Sequence, residues 1–502
     1  MKNLKVKLSL LALAGGFILS CGQVRAAENT VTLSNVKISS PLHLDDRKLQ
    51  NSLKGYFGLP VTAELLQQIL NEITRYCRSQ GFTASTAYLP EQTSVNGQIL
   101  VRVIQPQVDT VEIENGSRLK PKALRRLLGD NYTVRLRSMK LDDIQEVFLK
   151  FGDLNAVKTS GFYERRDGSD SLKLMVGLED PKYLNFEVFA DNHGTKAAGR
   201  WRSGFSVQST NLSGNADKAS LFYARTNEKQ NNFSINYALP VNSYFTYLGA
   251  SLCYQDYELS GKYRVLGAQG KSLTSELFLR QPLSRTLQSK LDLTAGLRYK
   301  NITDEFRTFD LSFKKHTVQG YLGLNGFWKD EHFSLAGGVS GAYGKLVYED
   351  DFLAQENHSF RVFNADASIY VPVGQGTTVV NTLQLQYSPD SLESSDTFQA
   401  TGPLGVAAYS SNALNGDSGL VESLGLRFKP FDNLDLTITP HLDFGVARYK
   451  DYSKDSLWGS GVILQFFYKG AFVKAQSEYA LSKPQSDEDR VRLLLKFGYQ
   501  YV

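Results

Sequence analysis

From Tyr183 to the C-terminus, apolar and polar residues alternate with a period of two. Leu291, Leu293, Ala295, Leu297 and Tyr299 fall on one face of a run whose other face carries Lys290, Asp292, Thr294, Gly296, Arg298 and Lys300. The run Leu434–Val446 sets Leu436, Ile438, Leu442 and Phe444 against Asp435, Thr437, Thr439, His441 and Asp443. The last run sets Leu493, Leu495, Phe497, Tyr499 and Tyr501 against Arg492, Lys496 and Gln500. Such alternation predicts strands with one apolar and one polar face. Sixteen are predicted, beginning near residues 183, 199, 217, 231, 243, 271, 287, 314, 332, 360, 377, 418, 434, 456, 471 and 490. Many reach the roughly 9–11 residues that a tilted membrane strand needs, against about 5–6 for an average soluble strand. The number is even, and a repeat of about 20 residues suits ten-residue strands plus turns. The pattern therefore predicts a membrane β-barrel over 183–502. Its sixteen antiparallel strands close on themselves, with apolar faces to lipid and polar faces to a lumen.

Upstream of Tyr183 the period is helical. Residues 31–105 read as strand, helix, helix, strand, strand. Leu44–Tyr56 is the first helix. The second runs from an N-cap at Thr62 to about Gln80, with Leu66, Ile69, Leu70, Ile73 and Cys77 at spacings of three and four. Strands Phe82–Tyr88 and Gln98–Val103 flank an Asn96-Gly97 turn. Residues 107–180 repeat the order: the strand VDTVEIEN, helix Pro121–Leu128, helix Leu141–Phe151 ended by Gly152, and a hairpin Val157–Arg165 with Ser171–Glu179.

Composition narrows the setting. Hydrophobic residues are 42% and charged residues 21%, which excludes a disordered chain and a helical membrane protein. The 26 Tyr and 29 Phe, against 3 Cys, suit the aromatic girdles of an outer-membrane barrel. A net charge of +5 on 502 residues gives no argument for nucleic acid. Residues 1–26 read as a signal peptide: Lys2, Lys5 and Lys7, the apolar run Leu8–Ser20, then Val24-Arg25-Ala26 as the cleavage site. Ile18-Leu19-Ser20-Cys21 offers a second, lipoprotein-type site. Cys77 and Cys253 fall in different domains and are expected as buried thiols without a disulfide.

Between the eleventh and twelfth strands lies a long loop, 389–417, rich in Gly, Ser, Asn and Ala. Long ordered loops carry function, and a loop entering a barrel controls what passes. Candidate chemistry is sparse. None of the six His stands in metal-binding spacing such as HExxH, and no motif selects a hydrolase. His441 and Asp443 share an inward face and are expected as a solvated lumen pair.

The two consecutive α+β units resemble POTRA domains. With the barrel, the chain is similar over about residues 31–502 to the TpsB transporters, the outer-membrane partners of two-partner secretion systems. The residues carrying the resemblance are Asp191, Asn192 and Gly194, with Gly199 and Arg200, at the barrel start. In the loop they are Val406-Ala407-Ala408-Tyr409 for the family's Val-Arg-Gly/Ala-Tyr tetrad, then Gly416, Asp417 and Gly419. Asp443 and Gly445, in His-Leu-Asp-Phe-Gly, follow on the wall.

The resemblance implies an outer-membrane pore of a Gram-negative bacterium with its POTRA domains in the periplasm. They would recognise one large secreted β-helical exoprotein (an adhesin, haemolysin or contact-dependent toxin), which crosses unfolded. Neither enzymatic activity nor a cofactor is implied, and a monomer is expected. The alternative reading is assembly of other outer-membrane barrels. Two departures stand out. The tetrad's Arg, the family's tie from loop to wall, is Ala407 here. Asp443 is therefore expected to find hydroxyl or amide partners, or a cation from a distant strand, and the loop is expected to be held more loosely than in relatives. A plug helix before the first POTRA domain is not expected between Ala26 and Val31.

Overall fold

The computed structural model describes residues 31–501 apart from 43, 81–84, 93–96, 105–107, 131–140, 155, 166–171, 229, 260, 350–355, 412 and 485–488. The signal peptide, its cleavage sites, the segment expected to lack a plug helix and Asn96 of the predicted turn lie outside the described residues.

Residues up to Pro106 form one compact unit. In it β1 (Asn35–Ser39) is followed by α1 (Asp46–Leu53), α2 (Ala63–Ser79), β2 (Thr86–Tyr88) and β3 (Gln98–Ile104). Thr62 caps α2 by accepting from the Leu65 amide at 3.1 Å. The helix turns Leu65, Ile69, Ile73 and Cys77 onto Val36, Ile99 and Val101 of the sheet. β3 is the middle strand, parallel to β1 and antiparallel to β2.

The rest of the chain forms the second compact unit, and the second α+β module is built into it. Here β4 (Val108–Asn115), α3 (Pro121–Leu128), α4 (Leu141–Asp153), β5 (Lys158–Arg165) and β6 (Leu172–Glu179) follow in order. The sheet order is β4-β6-β5, with β4 and β6 parallel. Gly152 does not end α4, which continues to Asp153. This end of the helix faces the barrel. Phe151 packs edge-to-face on Phe245 from a barrel turn, ring centroids 5.3 Å apart, in one apolar core with Leu127, Leu174, Val176 and Tyr247. Asp153 then receives Arg285 at 3.0 Å and Lys290 at 3.0 Å from the barrel rim.

The barrel closes with sixteen strands, β7 (Leu184–Asp191) through β17 (Thr377–Tyr387) and β20 (Ser418–Phe428) through β24 (Val491–Tyr501), as the alternation predicts. Observed strand starts lie within four residues of the predicted ones. Lengths depart from the ten-residue expectation: β7 has 8 residues, whereas β12 (Ala268–Arg285) has 18 and β14 (Leu311–Lys329) has 19. Hairpins whose pairing continues past the hydrocarbon give no break in the alternation, so lengths are less legible than starts. On β13 (Ser289–Phe306) Leu291, Leu297 and Tyr299 are exposed outward while Asp292 and Lys300 are buried inside. Cys77 is buried as expected, but Cys253 is not: it sits on the inward, solvated side of β11 (Tyr247–Glu258) and is exposed.

The last strand returns to the first through six register pairs, Lys496↔Asp191 to Tyr501↔Phe186. Asn192 extends this seam with its side chain, donating to the Leu493 carbonyl at 2.9 Å and accepting from the Leu495 amide at 2.8 Å.

Asp153 carries a pH dependence. Burial pushes its carboxyl up, but the hydrogen bonds and charges of Arg285 and Lys290 outweigh it and hold the group below the usual carboxylate range. A depressed folded pKa stabilises above the unfolded value of about 3.9, and that stabilisation is lost as pH falls through the lowered value. Asp153→Asn is expected to loosen the module at neutral pH by about 1.5–3 kcal/mol, the worth of a charge-assisted bond, and to remove the acid dependence. Amide exchange across Ile144–Phe151, followed against pH, checks this; equal protection in both proteins at pH 7 contradicts it.

Candidate functional site

The chain enters the barrel from the second module, so β17 ends at the opposite mouth. From there residues 388–417 fold back into the lumen. Within them β18 (Phe398–Gln399) pairs antiparallel with β19 (Asn415–Gly416). Phe398, Ala400 and Leu414 pack on Val421 and Ala447 of the wall, and Val406, Ala408 and Tyr409 pack around Ala480. The motif glycines are explained by close approach. A Cβ on Gly416 would lie 2.3 Å from the Arg448 carbonyl, and one on Gly419 2.3 Å from Phe398. One on Gly445 would lie 2.7 Å from Val406. On β22 (Asp455–Tyr468) Gly459 leaves the same kind of space, with Val406 2.8 Å and Ala408 3.0 Å from its hypothetical Cβ.

Polar contacts fix the loop at both sides. Lys300 on β13 reaches Asp396 at 2.5 Å and Ser395 at 2.9 Å. Lys315 on β14 reaches Glu393 at 2.9 Å. On the other side the Tyr409 hydroxyl faces the carbonyls of Trp458 at 2.9 Å and Ser482 at 3.0 Å, and accepts from the Ser482 amide at 3.0 Å. β13 and β14 are the seventh and eighth barrel strands, while the Tyr409 contacts come from the fourteenth strand and the loop after the fifteenth. In a ring of sixteen these lie nearly half a circumference apart, so the loop crosses the lumen.

The predicted motif residues divide into three groups. Val406, Ala407, Ala408 and Tyr409 are all buried against the wall. The Asp417 carboxylate accepts from the Leu392 amide at 2.8 Å and the Lys450 amide at 2.7 Å, tying the start of the loop to the neighbouring hairpin. Asp191, Asn192 and Gly194 lie at the barrel seam, where Asp191 pairs with Arg202 at 2.8 Å and the pair lines a cavity with Pro403 and Leu404 of the loop.

Two expectations for Asp443 fail. Among the described residues its nearest charged partner is His441 on its own strand, 3.5 Å away, and no donor reaches its Oδ1. Nor is the pair solvated: both side chains are nearly inaccessible, because Glu478 of β23 (Ala471–Ala480) closes on His441 at 3.1 Å. Inward alternation alone cannot say that a neighbour two strands away will cover a residue.

The cation near the tetrad is Arg492 of β24. It donates to the backbone carbonyls of Ala407, at 3.4 Å, and Tyr409. The guanidinium thus sits on the wall and the acceptor on the loop. Arg492 was visible as an inward cation of the last strand, but nothing local in the sequence says which loop atoms it meets.

Architecture and site together define an outer-membrane barrel with an α+β module built against one rim and a loop across its own lumen. Residues 171–466 match the family described as haemolysin secretion/activation protein ShlB/FhaC/HecB, and residues 31–105 match the ShlB-type POTRA domain. The chain belongs to this haemolysin secretion/activation family. It is 26% identical over 455 residues to the heme/hemopexin transporter protein HuxB of Haemophilus influenzae, covering 87% of this chain and 79% of that protein. Its fold is similar to CdiB from Escherichia coli, with a TM-score of 0.74 at 18% identity, covering 96% of this chain and 93% of that one. CdiB from Acinetobacter baumannii follows at 0.70 and 17%, covering 95% and 91%. BamA from Haemophilus ducreyi, lacking POTRA domains 1–3, shares the fold at 0.56 and 12%, covering 94% and 100%. The protein is a two-partner secretion transporter of the outer membrane. Its POTRA modules lie in the periplasm and its cargo is a large exoprotein.

Tyr409→Phe removes the hydroxyl that bridges the Trp458 and Ser482 backbone and is expected to destabilise the docked loop by about 0.5–1.5 kcal/mol. Arg492→Ala is expected to act in the same direction. Single-channel recordings of both variants should show more frequent open–closed fluctuations than the wild type. Unchanged recordings in both would mean that these ties do not hold the loop.

Proposed function

We propose that the transporter selects its exoprotein with the periplasmic modules and passes it, extended, through a lumen whose opening is set by loop 389–417. The partner is a secreted β-helical protein of the adhesin, haemolysin or contact-dependent toxin type, and the transporter works as a monomer. The observation that carries the gate is the loop's span from Lys300 and Lys315 on one side to Tyr409 on the other. A chain in transit must displace it. Its ties are mostly polar, and water that enters as the loop is displaced can take over their partners.

Recognition rests on strand edges. β5 closes one side of the second sheet and pairs with β6 alone among the described strands, and its own Phe162 is 60% exposed. An extended substrate adding there gains backbone hydrogen bonds without having to fold. A periplasmic chain has no ATP to spend, so directionality comes from folding of the exoprotein outside. β-Helical repeats suit this, because each turn that folds holds the next.

The domain limits in use are 31–105 and 107–180 for the modules and 183–502 for the barrel. Because the second module shares a core with Phe245 and Tyr247, only the first is suited to deletion. Removal of 31–105 should abolish export while the barrel still shows heat-modifiable migration; unimpaired export would sink the recognition role. In the full chain, Lys300→Met with Lys315→Met should raise the open probability in bilayer recordings, and an unchanged value would argue against the gate.

A further inference from the structure

Three titratable side chains meet in the wall beneath the loop. His441 and Asp443 project from β21 (Asp435–Arg448) and Glu478 from β23. The strand between them, β22, carries Gly459 opposite Asp443 and Gly461 opposite His441. A Cβ at Gly461 would stand 2.2 Å from Glu478 Oε2. With no side chain on the middle strand, groups rooted about two strand spacings apart, roughly 9.6 Å, touch above it. His441 Nε2 lies 3.1 Å from Glu478 Oε2 and 3.5 Å from Asp443 Oδ2, and one ligand atom from each residue lies within 4.8 Å of the others. The three side chains are 5%, 3% and 0% exposed.

The hydrogen bonds leave a charge unmet. His441 Nδ1 faces the Thr439 carbonyl at 3.4 Å. A carbonyl only accepts, so the proton of a neutral ring belongs on Nδ1, and Nε2 turns its lone pair toward two carboxylates. Gln476 donates to Glu478 Oε1 at 3.2 Å. Asp443 Oδ1 receives no donor among the described residues, although Asp443 is 2% exposed. Arg492, the register partner of Glu478, sends its guanidinium to the loop carbonyls. Lys474 stands four residues away along the same face of β23. Buried anions in such a setting require a counter-charge.

We propose that His441, Asp443 and Glu478 bind a divalent transition-metal cation of the Zn2+ class, each through one atom. Two carboxylates and a neutral imidazole carry the opposite charge to one such ion. An imidazole in the set selects zinc and its neighbours over calcium or magnesium, which prefer oxygen alone. A tetrahedral site with bonds of roughly 2.0–2.1 Å has ligand–ligand edges of about 3.3 Å. The two histidine edges already bracket that value, and the cation draws the carboxylates together along the third. The Thr439 carbonyl and Gln476 are the outer partners that hold the imidazole and Glu478 in orientation. The ion staples β21 to β23 over the glycine strand, in the stretch of wall on which Val406 and Ala408 rest.

The test uses the full chain, without a histidine tag, chelator-stripped in detergent. Zn2+ calorimetry should give one equivalent, Co2+ should give a d–d band of low-coordinate intensity, and Zn2+ should raise Tm. Glu478→Gln and His441→Asn should each weaken Zn2+ binding by about tenfold or more and abolish the Co2+ band, while His332→Asn should leave both intact. Heat-modifiable migration verifies that each variant is folded. If a variant does not fold, Glu478→Asp, which keeps a carboxylate at the site, takes its place and should lower the Zn2+ affinity and shift the Co2+ band. Absence of Zn2+ and Co2+ uptake by the wild type, undiminished binding by folded Glu478→Gln, or an unshifted Co2+ band in Glu478→Asp would overturn the proposal in favour of an imidazolium bridging the two carboxylates.

Discussion

In hydrocarbon no water can satisfy a backbone amide, so every strand must find a neighbour on both sides. The rest of this molecule depends on that constraint being met at one place, the seam where β24 meets β7. Six register pairs are the fewest shared by any two adjacent barrel strands. The seam is reinforced by side chains. Asn192 imitates a further backbone pair, and Lys496 reaches Glu187 at 2.6 Å across it. Asp191 supports the turn that presents Asn192, accepting from the His193 amide at 2.9 Å while holding Arg202. The first-strand motif is therefore a closure device. It adjoins the loop tie Arg492, whose chain neighbour Leu493 accepts from Asn192, yet the two sets of motif residues answer separate physical needs.

Closure creates an inner surface, and glycine decides what can rest on it. Side chains on a barrel wall normally hold a loop away from the backbone. Here Gly445 and Gly459 admit Val406 and Ala408 almost to the main chain, while Gly461 lets β21 and β23 touch across β22. The same absence of side chains thus seats the loop and concentrates two carboxylates with one imidazole. The loop's missing arginine is offset from the wall, because Arg492 reaches loop carbonyls that any residue type supplies. That arrangement demands little of the identity of residue 407, and alanine fits there.

Strand starts were legible because alternation is local: each strand announces its own faces without reference to its neighbours. The helices of both modules were legible for the same reason, as Thr62 and the Ile69–Ile73–Cys77 stripe illustrate. Register was not legible. His441 and Asp443 read correctly as inward, yet their burial depends on Glu478, which no pattern within β21 announces. Asp417 read only as a motif residue of the loop, whereas its two amide partners lie 25 and 33 residues away. The extension of α4 past Gly152 was hidden because the force that sustains it comes from Arg285 and Lys290. Contacts fixed by register or by another module's rim are long-range, and composition carries no trace of them.

The attachments also differ in kind, and the difference orders which parts can move. The second module meets the barrel through a buried apolar core, with Phe151 on Phe245, to which Asp153 adds two cations. Separating these surfaces exposes aromatic area to water, a loss that no polar substrate can replace. The loop's small apolar seats are supplemented by lysines, carbonyls and a hydroxyl. Water or the amides of a passing chain can take over each of those polar partners. The barrel and second module therefore act as one rigid frame, and the loop is the element whose displacement costs least.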